Sequence, residues 1–256
     1  MTNKDLIDLK YAKQLLENPG FAAKISDLIG KPVEKGLEIL PSRLSNIIDK
    51  AVSNSLNRAL ELSIKTINFE DKTVNKAGHK FAVFLSGGIG GAFGLTSLLV
   101  ELPISTGIML RSIAKIALSN GEDMNDINTR LSCLEVFAYG SNSKSDDASE
   151  TGYYMTRAAL AKSIADAARY ITEKGLSEKS SPAIMRFLLN ISSRFGIVVS
   201  QKAVATAVPV IGGLSGATVN LIFIDHFQKI AEGHFIVKRL EKKYGEDIVR
   251  SEYNSI

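Results

Sequence analysis

The sequence predicts an all-α protein built as a multi-helix bundle, and three observations support this fold class. Period-two alternation, the signature of β-strands, is scarce. Hydrophobic residues make up 45% and charged residues 23% of the 256 residues, which is ordinary globular usage. Apolar residues recur at spacings of three and four along the chain, as at Leu44, Ile47, Ile48, Ala51, Val52, Leu56 and Ala59.

The same periodicity, punctuated by proline and glycine, predicts the order of the helices. They are expected over residues 3–17, 21–29, 42–67, 73–100, 103–119, 124–139, 150–174, 181–201 and 204–244. The last helix is expected to break at its glycines, and the polar stretch 140–149 predicts a loop that caps the next helix. Residues 1–70 are expected to form an N-terminal segment and residues 71–256 a helical domain, the two packed as one unit.

Composition narrows the classes of function. Cys133 is the single cysteine and the N-terminal ten residues are polar, so we expect neither disulfides nor a secretory signal, and we expect a cytoplasmic protein. The net charge of +4 is a mild basic bias, and no aromatic series is interleaved with the basic residues. We therefore expect no nucleic-acid partner.

Two glycine-rich segments raise the question of phosphate binding. They read GGIGGAFG at 87–94 and IGGLSG at 211–216. Neither has the Lys and Ser or Thr of a Walker loop, and Phe93 occupies the position of the last glycine in a dinucleotide fingerprint. Nucleotide binding is disfavoured, and no cofactor is expected.

Close helix contact explains these glycines better, because several of them are four residues apart and form a flat strip on a helix. We predict two central glycine-rich helical hairpins that pack against each other along these strips. Glu101 follows one strip and would meet an amide at the end of the other. The predicted packing or lipid-facing residues are Gly87, Gly90, Gly91, Gly94, Gly212, Gly213, Gly216 and Asn220.

The glycine segments lie in two uncharged runs, residues 81–100 and 203–224, of 20 and 22 residues. Each is long enough to cross the hydrocarbon core of a bilayer, which is about 30 Å thick. Both are rich in small residues, Pro209 interrupts one and Glu101 directly follows the other. A buried hairpin is favoured, and peripheral or inserted attachment to the inner face of the membrane remains open.

A basic stretch after the second run is a candidate contact for lipid headgroups. It consists of Lys238, Arg239, Lys242 and Lys243. The alternative interpretation, a solvated helix face partly neutralised by neighbouring acidic residues, is favoured for this stretch.

Inward-facing carboxylates and histidines offer a different possibility, a metal site in a helical bundle. His226 and His234 are eight residues apart, which is not the spacing of three or four that paired helical ligands usually have. Buried structural histidines are therefore favoured. A metal-dependent hydrolase remains the alternative function, with a site drawn from Glu101, Glu135, Asp225, His226 and His234.

Several motifs resemble one protein family. They are ELP at 101–103, MLRSIAKIA at 109–117, GED at 121–123, RLSCLEVFAYG at 130–140, PVIGGLSGATVN at 209–220 and DHFQKIAEGHFIVKRLEKKYG at 225–245. Together they resemble the central block of the EcsC protein family. The resemblance implies a mainly bacterial, helical family named after a protein encoded beside an ABC transporter, without an agreed activity, so no catalytic role is carried over.

The uncharged runs, the basic stretch and the resemblance together predict a membrane-proximal, non-enzymatic protein. Its expected partner is a membrane lipid or a membrane-associated protein.

Overall fold

The computed structural model describes residues 1–17, 20–29, 37, 42–65, 98–141, 152–176, 181–207 and 216–256. These residues are 91% helical and include no strand, which confirms the all-α fold class and the multi-helix bundle. The described helices are α1 (Asn3–Glu17), α2 (Phe21–Ile29), α3 (Ser42–Lys65), α4 (Leu98–Ser119), α5 (Ile127–Tyr139), α6 (Gly152–Lys174), α7 (Pro182–Ala207), α8 (Gly216–Tyr244) and α9 (Glu246–Ser255).

Helix α5 lies at the centre of the bundle. Every residue from Thr129 to Tyr139 is buried, which is the pattern of a helix surrounded by other helices on all sides. It packs against α3, α4, α6, α7 and α8. Its start is fixed by Asp126, whose carboxylate accepts a hydrogen bond of 3.0 Å from the Asn128 backbone N–H and satisfies one of the free donors of the first turn.

Helix α8 is the longest of the described helices and packs against α1, α2, α4, α5, α7 and α9. Its core face follows the helical repeat of three and four residues. The buried stripe on this face is Phe223, Phe227, Ile230, His234, Val237 and Leu240. The rings of Phe223 and Phe227 lie 5.2 Å apart in an edge-to-face arrangement, which favours a fixed packing geometry.

The N-terminal helices belong to the same packed body. Leu9, Ala12 and Leu16 of α1 are buried against α8, and the ring of Phe21 in α2 lies 5.6 Å from that of Phe223. The contact between α1 and α8 is close because Gly233 faces α1. A Cβ built on Gly233 would lie 2.8 Å from Leu16 Cγ and 2.9 Å from the Ala12 carbonyl oxygen.

Where the structure describes the predicted helices, they agree with it except at several ends. A boundary between residues 100 and 103 is wrong, because α4 continues through Pro103. Pro103 donates no backbone hydrogen bond, and burial of Leu98, Leu102 and Met109 favours the helix through this position. The boundary between residues 201 and 204 is also wrong, since α7 continues to Ala207.

Helix α9 is an element that the sequence reasoning missed. Gly245 adopts a positive φ of 89°, a conformation that favours glycine, and thereby separates α9 from α8. Val249 and Tyr253 of α9 are buried. The Tyr253 ring lies 5.9 Å from the ring of Tyr153 and 5.1 Å from that of Tyr154, so α9 closes an aromatic cluster on α6.

Parts of the sequence prediction lie outside the described residues. These parts are most of the predicted helix 73–100 and the positions Gly87, Gly90, Gly91, Gly94, Gly212 and Gly213. The two glycine-rich hairpins therefore stay a prediction. So does the division at residue 70.

Gly233→Ala tests the close contact between α1 and α8. The added methyl group has to displace a backbone carbonyl, so we expect the free energy of unfolding to fall by about 1–3 kcal/mol despite the better helix propensity of alanine. Gly196→Ala is the matched control. A Cβ at this mid-helix position of α7 has no described atom within 4 Å, so we expect unchanged stability or a gain of up to about 1 kcal/mol. Urea unfolding followed by circular dichroism measures both, and equal stability of the two variants would contradict the packing described.

Candidate functional site

The helix ends that border the two uncharged runs surround one buried ion pair. Lys202 of α7 donates a hydrogen bond to Glu101 of α4, and the ammonium lies 4.6 Å from the centre of the Phe223 ring of α8. The Lys202 side chain is 1% exposed and that of Glu101 is 12% exposed. Helix α4 therefore meets the consecutive helices α7 and α8, which are about one hundred residues further along the chain, at this charged contact.

This ion pair lies close to three helix ends. Residue 98 precedes Glu101 by three positions, residue 207 follows Lys202 by five and residue 216 precedes Phe223 by seven. At about 1.5 Å per residue, the ends are about 5, 8 and 11 Å from the pair along their helices. We call the region formed by residues 98–104, 202–207 and 216–223 the apolar end.

Large hydrophobic side chains are exposed at the apolar end. Val100 is 61% exposed, Ile104 43% and Leu221 56%. Scattered exposed hydrophobic residues are normal on a protein surface. These three lie within or beside the two uncharged runs, so the sequence that adjoins them is also without charge.

The expected meeting of Glu101 with Asn220 is replaced by the pair with Lys202. The Oδ1 atom of Asn220 is buried and has no hydrogen-bond partner among the described residues. A signal for the true partner was present in the sequence, since Glu101 directly follows one uncharged run and Lys202 directly precedes the other. Two charges at the borders of apolar runs favour each other as partners once both are buried.

The basic stretch contacts other parts of the same chain. Lys238 donates a hydrogen bond of 2.8 Å to Ser132 Oγ, and the other three cations form ion pairs with acidic side chains. These pairs are Arg239 with Asp8 at 2.7 Å, Lys242 with Glu122 at 2.9 Å and Lys243 with Asp5 at 2.8 Å. About half of each of these three basic side chains is still exposed. Headgroup binding by this stretch stays a prediction.

The five residues considered for a metal site do not converge on one place. Glu101 pairs with Lys202, Asp225 pairs with Lys229 at 2.9 Å, and His226 Nε2 donates a hydrogen bond of 3.0 Å to the Gly140 carbonyl. Within the described part of the chain, no group of three or more His, Cys, Asp or Glu residues is placed to hold a metal ion. The metal-dependent hydrolase is therefore not favoured.

Glu135 and His234 do lie together, in a closed polar cluster with two tyrosines. The Tyr139 hydroxyl donates to Glu135, and the Tyr153 hydroxyl lies 2.9 Å from His234 Nδ1. His234 Nε2 is 4.0 Å from Glu135 Oε2 and has no hydrogen-bond partner among the described residues. The four side chains belong to residues that are at most 6% exposed.

Burial disfavours charge throughout this cluster. It raises the pKa of Glu135 and, with help from nearby Lys238 and Arg157, lowers the pKa of His234 well below its usual value. Burial also raises the pKa of Cys133 to about 12, so this residue is a thiol rather than a thiolate nucleophile. The enclosure of the cluster indicates a structural role in joining α5, α6 and α8.

Lys202→Met and Glu101→Gln test the buried ion pair. Each single change leaves a buried charge without its partner, so we expect a loss of about 3–5 kcal/mol in the free energy of unfolding. The double variant is expected to lose less than the sum of the two, because the charges are coupled. Urea unfolding of the original protein, the two single variants and the double variant gives the coupling energy between residues 101 and 202. Lys229→Met, in the half-exposed pair with Asp225, is the control and is expected to lower the free energy of unfolding by about 1 kcal/mol or less. Additive losses from the changes at residues 101 and 202 would contradict an interaction between them.

His226 predicts a specific pH dependence of stability. Burial lowers its pKa from 6.5 to about 4 in the folded protein, so between these values the unfolded chain binds a proton that the folded chain does not. Stability from this group is complete above pH 6.5 and is lost as the pH falls, by about 2–3 kcal/mol between pH 7 and pH 4.5. His226→Gln keeps an N–H donor for Gly140 and should lose correspondingly less over this interval, as measured by urea unfolding at both pH values. The same loss in both proteins would contradict the assignment.

Comparison with known proteins identifies the family. The sequence model of the EcsC protein family matches residues 9–240, which includes residues 9–70, where the motifs gave no resemblance. No curated protein and no solved structure matches the chain. The family match covers most of the sequence and includes the ion pair, the closed polar cluster and the first two residues of the basic stretch, Lys238 and Arg239. The chain therefore belongs to the EcsC protein family.

Proposed function

We propose that this EcsC family protein is a membrane-proximal, non-enzymatic protein that binds lipid through its apolar end. One observation carries the proposal: the described ends of both uncharged runs lie around the Lys202–Glu101 pair, beside exposed hydrophobic side chains. Two runs far apart in sequence would thus act as one apolar element. Proteins that lie in the membrane interface bind through buried apolar area of this kind.

The energy available from the exposed side chains supports reversible attachment. Full burial of one large aliphatic side chain contributes about 1.5–3 kcal/mol, so Val100, Ile104 and Leu221 together would contribute a few kcal/mol. Residues 81–97 and 208–215, which adjoin these positions in sequence, carry no charged side chain. They add no electrostatic penalty to contact with lipid.

Pairing of Lys202 with Glu101 removes the main objection to an apolar contact here. A charged residue at the middle of a membrane helix costs roughly 2.5–3.5 kcal/mol. The two charges that border the runs neutralise each other and are largely covered by protein. The apolar end therefore presents hydrophobic groups without an unpaired ion from this pair.

The basic stretch distinguishes two orientations on a membrane. Lys238 follows Phe223 by fifteen residues. It therefore lies about 22 Å along α8 from the apolar end. Contact through the apolar end leaves this stretch away from the surface, so binding would depend weakly on salt. Contact along the side of α8 would instead use the stretch as the headgroup contact and would depend strongly on salt.

Flotation with liposomes tests the proposal. We expect the protein to float with vesicles of zwitterionic and anionic phospholipid at both low and high salt. Val100→Asp and Leu221→Asp place a charge on exposed positions of the apolar end and should decrease flotation several-fold without loss of helical signal. Ile248→Asp, an equally exposed site on α9, is the matched control and should float like the original protein.

Protein that stays at the bottom of the gradient at both salt concentrations would contradict lipid binding. Flotation that occurs at low salt alone and is lost in Lys242→Gln with Lys243→Gln would contradict binding through the apolar end. That result would assign the membrane contact to the basic stretch.

A further inference from the structure

A groove of about 820 Å³ lies between α3 and α7, separate from the closed polar cluster. Its volume is in the range of ligand-binding sites, about 300–1,000 Å³. Leu56 and Leu188 form buried parts of its wall, while Met185, Leu189 and Ile197 are 49%, 62% and 39% exposed. The surface along this face of α7 is therefore apolar and open to a ligand.

The polar groups of the groove are almost all uncharged. Ser53 and Asn57 on α3 and Ser192 and Ser200 on α7 line it, and Asp49 is its one charged lining residue among those described. No described lysine or arginine lines it. Hydroxyl and amide groups suit a ligand that donates and accepts hydrogen bonds without carrying a negative charge.

Gly196 is an independent sign that space in the groove is kept free. A glycine in the interior of a helix costs about 1 kcal/mol relative to alanine, so it needs a packing or functional reason. Gly107 and Gly233, which are also inside helices, have such a reason, since a Cβ on each would come within 3.2 Å of another side chain. Gly196 lines the groove, has no positive φ, and its Cβ would meet no described atom within 4 Å.

The length of the groove suits an acyl chain. The groove extends along α7 from Met185 to Ser200, about 22 Å at the helical rise. One leaflet of the bilayer core, about 15 Å, sets the length of an acyl chain, so the groove has room for a chain and a small head group.

We infer that the groove between α3 and α7 binds one acyl chain of an uncharged single-chain lipid of the monoacylglycerol class. Its apolar wall receives the chain, and the serine hydroxyls and Asn57 face the glycerol hydroxyls. Ser200 is two residues from Lys202, so the groove ends beside the apolar end. The inference rests on the proposed function in taking the membrane as the source of this lipid.

Binding of 1-oleoylglycerol, supplied from cyclodextrin and measured by calorimetry on the full chain, tests the inference. We expect one lipid per protein, and at least tenfold weaker binding by Gly196→Phe, whose ring fills the groove while removing a helix glycine. Its melting temperature should equal or exceed that of the original protein. Asn190→Phe adds the same ring to an exposed site of α7 outside the groove and should bind normally. Gly196→Leu serves as a smaller block if the phenylalanine variant does not fold.

Oleate is the second arm of the experiment. It has the same chain with a carboxylate, and we expect it to bind several-fold more weakly because Asp49 lines the groove without a described cation. Absence of 1-oleoylglycerol binding, equal binding by Gly196→Phe, or tighter binding of oleate would each overturn the inference. Dimerisation in sedimentation experiments that Gly196→Phe abolishes, without lipid binding, would overturn it in favour of a contact between two copies.

The two proposals fail in different experiments. Gly196→Phe should still float with liposomes, because the apolar end is unchanged. Flotation that fails while 1-oleoylglycerol binds to the groove would contradict the proposed function and would show that the lipid reaches the groove by another route.

Discussion

The ion pair between Lys202 and Glu101 is the contact on which the candidate membrane-binding region depends. A buried charge at either residue is unfavourable without its partner. The pair therefore holds α4 and α7 next to each other at this point. The Phe223 ring beside the ammonium extends this constraint to α8. The ion pair and this ring contact therefore help to fix the three helix ends, together with the packing of α4 against α3 and α8.

The outer helices are attached to that core by contacts of different kinds. Helix α1 lies against Gly233 at short distance and is joined to α8 by two ion pairs, from Asp5 and Asp8. Helix α9 is held by aromatic contacts with α6. The groove between α3 and α7 differs from both, since its side chains leave space rather than fill it. On the inference above, this incompletely filled seam is a ligand site, whereas the attachments of α1 and α9 are structural interfaces.

The sequence was sufficient for the fold class and for most helices, because the apolar repeat of α8 and α7 is long and regular. It was insufficient at Pro103 and Gly245, where tertiary packing decides whether a helix continues or turns. Most contacts between distant residues were also beyond it. Residues 101 and 202 at least border the two uncharged runs, whereas the acidic partners of Arg239 and Lys243 lie in α1, more than two hundred residues away, with no comparable signal. The sequence did not predict a role for Gly196, because that role depends on the empty space beside it in the folded protein.

The slight accessibility of Glu101 gives the three-helix junction a sensitivity to its surroundings. Water that reaches this carboxylate screens its attraction to Lys202, and replacement of that water by hydrocarbon lowers the local dielectric constant and strengthens the attraction. On the proposed membrane contact, docking would thus stiffen the joint that carries it. The three-helix junction would then be more rigid in the membrane-bound protein than in the free protein.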